Sequence, residues 1–358
     1  MRIRRYLLAE LLFLALCLVG AVVLARVSLR WLGDRHTPKS IPEVVSVHHP
    51  VKVTEGPPIL PVPVPEIFEE PTGNFLGMSD DLLVERLRTQ PVVKVQRNKG
   101  GSSLSFRMDL ADGSRAAFKP AQTNLQTIPR KEVAAYRLSR LLGLDAVPPA
   151  VPRMFSREEL FSHLHPVPVP LWSRIQNETI FNPAGKTAGV MMYWIPVLKD
   201  PGLDTPEGIM RTTAWLTQGQ TIPPSFQSLA AQLSDLVLFD FLISNPDRYS
   251  GGNLLTNADG SRLLFMDNTM SFFIEPEGSE KTRQVLHRTQ RFSARLYTAL
   301  DRISETSLHR IFSRVEEGTF EILTPAEIRA VVARRDYVRT YVSSLFAVHG
   351  QAKVLCFP

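Results

Sequence analysis

The chain has 358 residues, 44% of them apolar, which is enough for a sizeable core and more than one ordinary domain. Its formal charge of +6 suits anionic partners, but the basic residues are scattered rather than gathered in a Lys/Arg block, which argues against nucleic acid. The two cysteines, Cys17 and Cys356, leave no basis for an internal disulfide framework or a Cys-rich zinc site.

In chain order, MRIRRY is followed by an uninterrupted apolar run from Leu11 to Ala25. Extended back to Tyr6, with Glu10 near the interface, the run reaches the ~20 residues that span a bilayer. No A-x-A cleavage pattern follows, and Leu16 before Cys17 does not suit lipoprotein processing. Residues 1–33 are therefore expected to form a short cytoplasmic tail and an uncleaved signal anchor, a single-pass type II arrangement. Residues 34–74 read as a stem: Pro57, Pro58, Pro61, Pro63, Pro65 and Pro71 favour extended, polyproline-like backbone. Ile59, Leu60, Ile67 and Phe68 would equally suit a segment wrapped on the following domain.

Residues 75–350 carry the pattern of a folded domain, with 351–358 as a tail. SDDLLVERLR predicts a short helix, with Ser79 as its cap and Asp80 and Asp81 near its positive end. VVKVQ, SSLSFRMDL and SRAAFKP alternate as strands, joined through NKGG and ADG turns. IPRKEVAAYRLSRLLGL predicts an amphipathic helix with Pro129 in its first turn. Its buried stripe comprises Val133, Ala134, Tyr136, Leu138, Leu141 and Leu142, and Gly143 ends it. Strands follow at Ala150 to Phe155 and Lys186 to Pro196.

Beyond Pro206 the pattern turns mainly helical, with SFQSLAAQLSDLVLFDFLI as the longest buried-helix candidate and NLLT-NADG-SRLLFMD as a hairpin. The helix LTPAEIRAVVARRDYVRTYVSSLF closes the domain; Thr324 caps it, Pro325 takes its first position and Glu327 completes a capping box. Strands plus one helix, then helices plus a hairpin, predict an α+β fold of two lobes, a β-rich N-lobe at about 79–196 and a helical C-lobe at about 197–350.

Four features of this order carry chemistry. A turn with Lys99, Gly100 and Gly101 allows close backbone approach to a phosphate, though hairpin turns share its composition. Lys119 ends a strand and Glu132 opens the next helix; a lysine that contacts nucleotide phosphates is held by such a carboxylate, while a surface lysine and a first-turn glutamate give the same pattern. In FDFLISNPDRYSGGNLL, Asp247 could accept a hydrogen bond from an attacking hydroxyl. Arg248 could orient that carboxylate or neutralise nearby charge, and Asn253 could reach a divalent cation. In LLFMDN, Asp267 ends an apolar strand, where a hard cation bridging phosphates needs a carboxylate oxygen; a turn-forming Asp-Asn reads alike. Together these residues form the inventory of a phosphoryl-transfer enzyme.

AAFKP, RKEVAAYRLSRLLGLDAVPPAVPR, LVLFDFLISNPDR and LLFMDN resemble the secretory-pathway atypical kinases of the Four-jointed and Golgi casein kinase type, over about Val92 to Phe273. The resemblance implies an atypical protein-kinase-like fold preceded by a transmembrane helix and acting with ATP and Mg²⁺ or Mn²⁺. It implies Lys119 on the nucleotide phosphates, Glu132 pairing with it or helping to hold metal, Asp247 as base and Asp267 as metal ligand. The acceptor would be a protein Ser/Thr or a glycan sugar hydroxyl, and the location the secretory lumen of a eukaryote or the inner membrane of a bacterium. Asn253 lies six residues beyond Asp247 where many kinase loops use five, Tyr249 replaces a frequent histidine, and cysteines are few for a lumenal member. A lipid kinase and a pseudokinase scaffold are the competing expectations.

Overall fold

The structure is a computed structural model, and it describes residues 73–98, 102–250, 252–313 and 320–358. The expected signal anchor, nearly all of the stem and the Lys99-Gly100-Gly101 turn lie outside the described residues.

A small ribbon, β1 (Asn74–Phe75) and β2 (Met78–Ser79), leads into α1 (Asp80–Thr89). Ser79 occupies the N-cap position without making a side-chain cap bond. Asp80 instead turns inward, accepting from the Tyr136 hydroxyl at 3.0 Å and pairing with Arg140 at 3.2 Å.

Next come β3 (Val92–Arg97), β4 (Phe106–Leu110), β5 (Arg115–Pro120), α2 (Arg130–Leu141), β6 (Ala150–Ser156), α3 (Arg157–Ser162), α4 (Val169–Glu178) and β7 (Lys186–Tyr193). The five longer strands form one antiparallel sheet in the order β3-β4-β5-β7-β6. Alternation in β4 sends Phe106, Met108 and Leu110 to one face, where they pack with Phe118, Phe155, Ile175 and Met191. Lys119 sits one residue from the end of β5, opposite Val190. Gly189 makes the close pairing of β5 and β7 possible, because a Cβ there would lie 2.5 Å from the Lys119 carbonyl oxygen. Helices α3 and α4, absent from the sequence reading, cover this sheet through Leu160 and Ile175.

The second lobe contains α5 (Pro206–Trp215), α6 (Gln227–Ile243), the hairpin β8 (Leu254–Thr256) and β9 (Leu263–Phe265), α7 (Glu280–Arg288), α8 (Ala294–Ala299), α9 (Glu305–Phe312), α10 (Pro325–His349) and α11 (Gln351–Val354). Its core is built on α6, whose residues Leu233 through Ile243 are all buried, so the helix packs on every side. Among the described residues, Pro224–Ile243 is the one helical stretch long and apolar enough to cross a membrane, and here that apolarity serves the core. The last eight residues, expected as a tail, belong to this lobe: Val354 and Phe357 are buried, and the Phe357 amide donates to the Phe292 carbonyl at 3.2 Å.

Helix α2 sits between the sheet and the helices, but its apolar stripe joins the helical core. The expected stripe and the Gly143 stop both form, Gly143 at φ +68°. Arg295 and Arg302 donate to the carbonyls of Gly143 and Leu141 at 2.8 and 3.2 Å, which satisfies orphan acceptors at the negative end of the helix. At its other end Arg130 makes two bonds to Glu327, at 2.7 and 2.8 Å, and a third to the Ile322 carbonyl. Glu327 also completes the expected capping box with Thr324.

Burial pushes the Glu327 pKa up, but its bonds to Arg130 and Thr324 outweigh that and hold it below the ordinary 4.5. Its stabilising contribution is therefore present above pH 4.5 and fades as the pH falls through the lower, folded value. Glu327→Ala is expected to cost about 2 kcal/mol at neutral pH, through the lost charge-assisted bonds to Arg130 and the lost capping box with Thr324. The difference from the parent should shrink on acidification, as read by denaturant unfolding at a series of pH values.

Candidate active site

Three elements meet at Lys119. Its ammonium lies 2.8 Å from Glu132 Oε1 on α2 and 2.9 Å from Asp267 Oδ1, two residues beyond β9. Burial works against the charged lysine, yet the two carboxylates outweigh it and raise its pKa above the ordinary value. Lys119 in turn holds the Asp267 carboxyl below the usual carboxylate range, with help from Thr269. The Lys119 and Glu132 side chains are 10% and 4% exposed, whereas that of Asp267 is 43% exposed, so Asp267 is the member a ligand can reach. Asp267 adopts φ +54°, a left-handed conformation that aspartate tolerates better than most residues.

Asn268 fixes the other oxygen of Glu132: its backbone and side-chain amides donate to Oε2 at 3.0 and 3.2 Å. Glu132 thus holds both the lysine and the segment that carries Asp267. The glutamate expected at the start of the helix and the aspartate expected after the strand meet at one lysine.

The loop after α6 reaches the same place. Ser244 ends the helix at φ +51°, and Asn245 follows with its side chain between two backbones. Its Oδ1 accepts from the Asp247 amide at 3.0 Å, while its Nδ2 makes long contacts of 3.4 and 3.5 Å to the Asp267 carbonyl and Asn268 Oδ1. Asn245 therefore links the segment of Asp247 to that of Asp267. The Asp247 carboxylate is partly exposed, and its hydrogen-bond contact among the described residues is a long 3.5 Å one to Asn253 Nδ2. The sixth residue in the Asp247–Asn253 spacing is taken up by a turn, in which the Ser250 amide donates to the Asp247 carbonyl. Gly252, at φ +77°, donates to Asp204 at 2.9 Å. Asn253 Nδ2 still reaches the Asp247 carbonyl, at 3.1 Å, so the longer loop folds back on itself.

Arg248 points away from the Asp247 carboxylate. It is 1% exposed and makes a two-pronged pair with Asp240, at 3.0 and 2.9 Å, while also donating to Asn268 Oδ1 at 2.8 Å and to the Met266 carbonyl. Of the two roles expected for it, neutralising nearby charge fits this placement and orienting Asp247 through a direct contact does not. Burial raises the Asp240 pKa, and Arg248 offsets part of that rise. For Arg248 burial is outweighed by Asp240, and its pKa is raised.

No sequence motif marks Asp240, Asn245, Asn268 or Arg334 for the site. Asp240 carried a signal, an acid inside the apolar run LVLFDFLI, because a buried carboxylate needs a partner. Arg334 on α10 is fully buried and donates to the carbonyls of Leu242, Phe273 and Glu275 at 2.7 to 2.9 Å. Burial pushes its pKa down to about 10. It ties the end of α6 to the segment that follows Asp267.

Among the described residues, no group of three or more His, Cys, Asp or Glu side chains gathers to hold a metal. A hard cation carried on nucleotide phosphates needs one or two protein oxygens rather than a cage, and the accessible Asp267 carboxylate fits that requirement.

A β-sheet lobe over a helical lobe, with a buried lysine–glutamate pair facing a strand-end aspartate, is the arrangement of a kinase fold. The Golgi casein kinase structure matches at 18% identity and TM-score 0.60, over 77% of this chain and 78% of that one. Its form with Mn and ADP bound matches equally. Hydra Fam20 with sugar matches at 19% identity and TM-score 0.57, over 78% of this chain and 94% of that one. No curated protein matches by sequence. The Four-jointed box protein middle domain matches residues 79–266, and the chain belongs to the Four-jointed box family. The expected family and two-lobed kinase fold are thus borne out.

Arg248→Met is expected to lower stability by roughly 3–5 kcal/mol, since it leaves Asp240 buried without its counter-charge. The double variant Asp240→Leu/Arg248→Met should recover part of that loss. Denaturant unfolding of the two variants beside the parent reads both effects.

Proposed function

We propose that the chain transfers the γ-phosphate of ATP to a hydroxyl group of a protein Ser/Thr or a glycan sugar. The observation that carries this reading is Lys119 shared between Glu132 and Asp267, with Asn245 linking the Asp267 segment to that of Asp247. In the proposed mechanism Lys119 binds nucleotide phosphate oxygens while Glu132 keeps it placed and charged. Gly100 and Gly101 would supply backbone to the phosphates. Asp247 accepts the proton of the attacking hydroxyl. Arg248 holds the loop carrying that base without touching the reacting atoms, which makes it a positioning residue.

Asp267, with Asn253, would hold Mg²⁺ or Mn²⁺, which supplies neutralisation of charge on the phosphates. Asn253 turns its amide nitrogen to Asp247, which leaves its side-chain oxygen as the atom for that role. The Golgi casein kinase form with Mn and ADP supports this choice of cofactor, and the sugar-bound hydra protein supports including a glycan acceptor. Residues 1–33 would anchor the enzyme as a single-pass type II protein and residues 34–74 would serve as its stem.

Asp247→Asn is expected to reduce turnover by about 10²–10⁴-fold, the contribution of a positioned base. Asp267→Asn is expected to remove transfer while leaving the fold intact by circular dichroism. Both are measured with labelled ATP and Mn²⁺ or Mg²⁺ on separate protein, glycan and lipid pools. Label confined to lipid would replace the proposal with a lipid kinase. Nucleotide binding by the parent without transfer to any pool would replace it with a pseudokinase.

A further inference from the structure

One cavity among the described residues is not lined by Lys119, Glu132, Asp247 or Asp267. It has a volume of about 250 Å³ and lies in the helical lobe among α5, α6, α7 and the loop after α6. Leu216, Leu233, Val237, Phe241 and Val285 give it apolar walls. A shallower groove continues from it over Met210 and Gln220, sharing Ile209, Thr213 and Arg288.

Charge on the walls is one-sided. The acid that lines the cavity, Asp240, is neutralised by its two-pronged pair with Arg248. Lys281 and Arg288 line it seven residues apart on α7, and neither has an ion-pair partner among the described residues. Residues at that spacing share a helix face. Glu280, the neighbouring acid, is bonded to Gln284 at 3.0 Å and does not line the cavity. Tyr249 also lines it.

We propose that this cavity is an effector site for a compact apolar molecule bearing one carboxylate. The apolar body sits among Leu233, Val237 and Val285, and the carboxylate meets Lys281 and Arg288. The enclosed volume lies near the lower end of the ~300–1,000 Å³ of ordinary ligand pockets and accommodates a compact molecule. The occupant reaches the loop of Asp247 from behind, because Asn245 and Tyr249 flank that residue in sequence and both line the cavity. Asn245 Oδ1 accepts the Asp247 amide, so ligand packed against Asn245 stiffens the segment that presents Asp247. Binding here does not depend on phosphoryl transfer, and the measurements below need no ATP.

The probes are 4-phenylbutyrate, 4-phenylbutanol and 4-phenylbutylamine, which share one body and differ in the head group. They are titrated calorimetrically into the full chain in lipid nanodiscs, with empty nanodiscs as blank. The acid is expected to bind saturably and more tightly than the alcohol, and the amine most weakly. The exposed double variant Lys281→Gln/Arg288→Gln should weaken the acid by about three- to tenfold, the scale of exposed charge pairs, and leave the alcohol unchanged. Val237→Trp, which fills the cavity, should abolish binding of both. Hydrogen exchange of the 245–249 segment should slow with the acid bound. Equal affinity for the three heads, no saturable binding of the acid, an unchanged affinity in the Gln/Gln variant, or unchanged exchange at 245–249 would each overturn the assignment. None of those outcomes touches the phosphotransfer proposal, which is read by labelled phosphate.

Discussion

A buried guanidinium organises the centre of the molecule. Arg248 is excluded from water, and such a charge persists only where acceptors surround it. They come from α6 through Asp240, and from the segment after β9 through Asn268 and the Met266 carbonyl. The residue that follows Asp247 is thereby locked to the residues on both sides of Asp267. Two acidic side chains 20 residues apart in the sequence, Asp247 and Asp267, are placed relative to one another by the cost of leaving a charge unpaired.

Lys119 extends the same logic to the sheet. Its ammonium is buried between Glu132 and Asp267, and Glu132 is itself bonded to Asn268, which also accepts from Arg248. A continuous chain of charge-assisted bonds therefore runs from β5 to α6. Helix α2 is an anchored member of that chain. Arg130 and Glu327 fasten one end, Arg295 and Arg302 cap the other, and its apolar stripe belongs to the helical core. Glu132 is thus presented by an element that belongs more to the lower lobe than to the sheet it faces. Arg334 does comparable work further along, joining the end of α6 to the segment beyond Asp267.

Much of this is legible in the sequence. Strand alternation around Phe106 to Leu110 and the stripe from Val133 to Leu142 follow from side-chain periodicity, which is a local property. So does the capping box at Thr324, because its two bonds span three residues. Ser79 shows where local rules fail: it stands at the cap position without capping, while Asp80 answers to Tyr136 and Arg140, partners 56 and 60 residues away. The final residues read as a tail because nothing in their composition announces that Phe357 inserts beside Phe292.

The sequence by itself determined the order of chemistry, a strand-end lysine, a helix glutamate, an aspartate loop and a second aspartate after a strand, because each depends on residue type and spacing within one element. Tertiary structure alone decided which of these side chains touch. Glu132 and Asp267 converge on Lys119 across 13 and 148 residues, and no local pattern encodes contacts of that span. It also decided that Arg248 faces Asp240 rather than its neighbour Asp247, because the orientation of a charged side chain is set by where the fold leaves a buried acceptor.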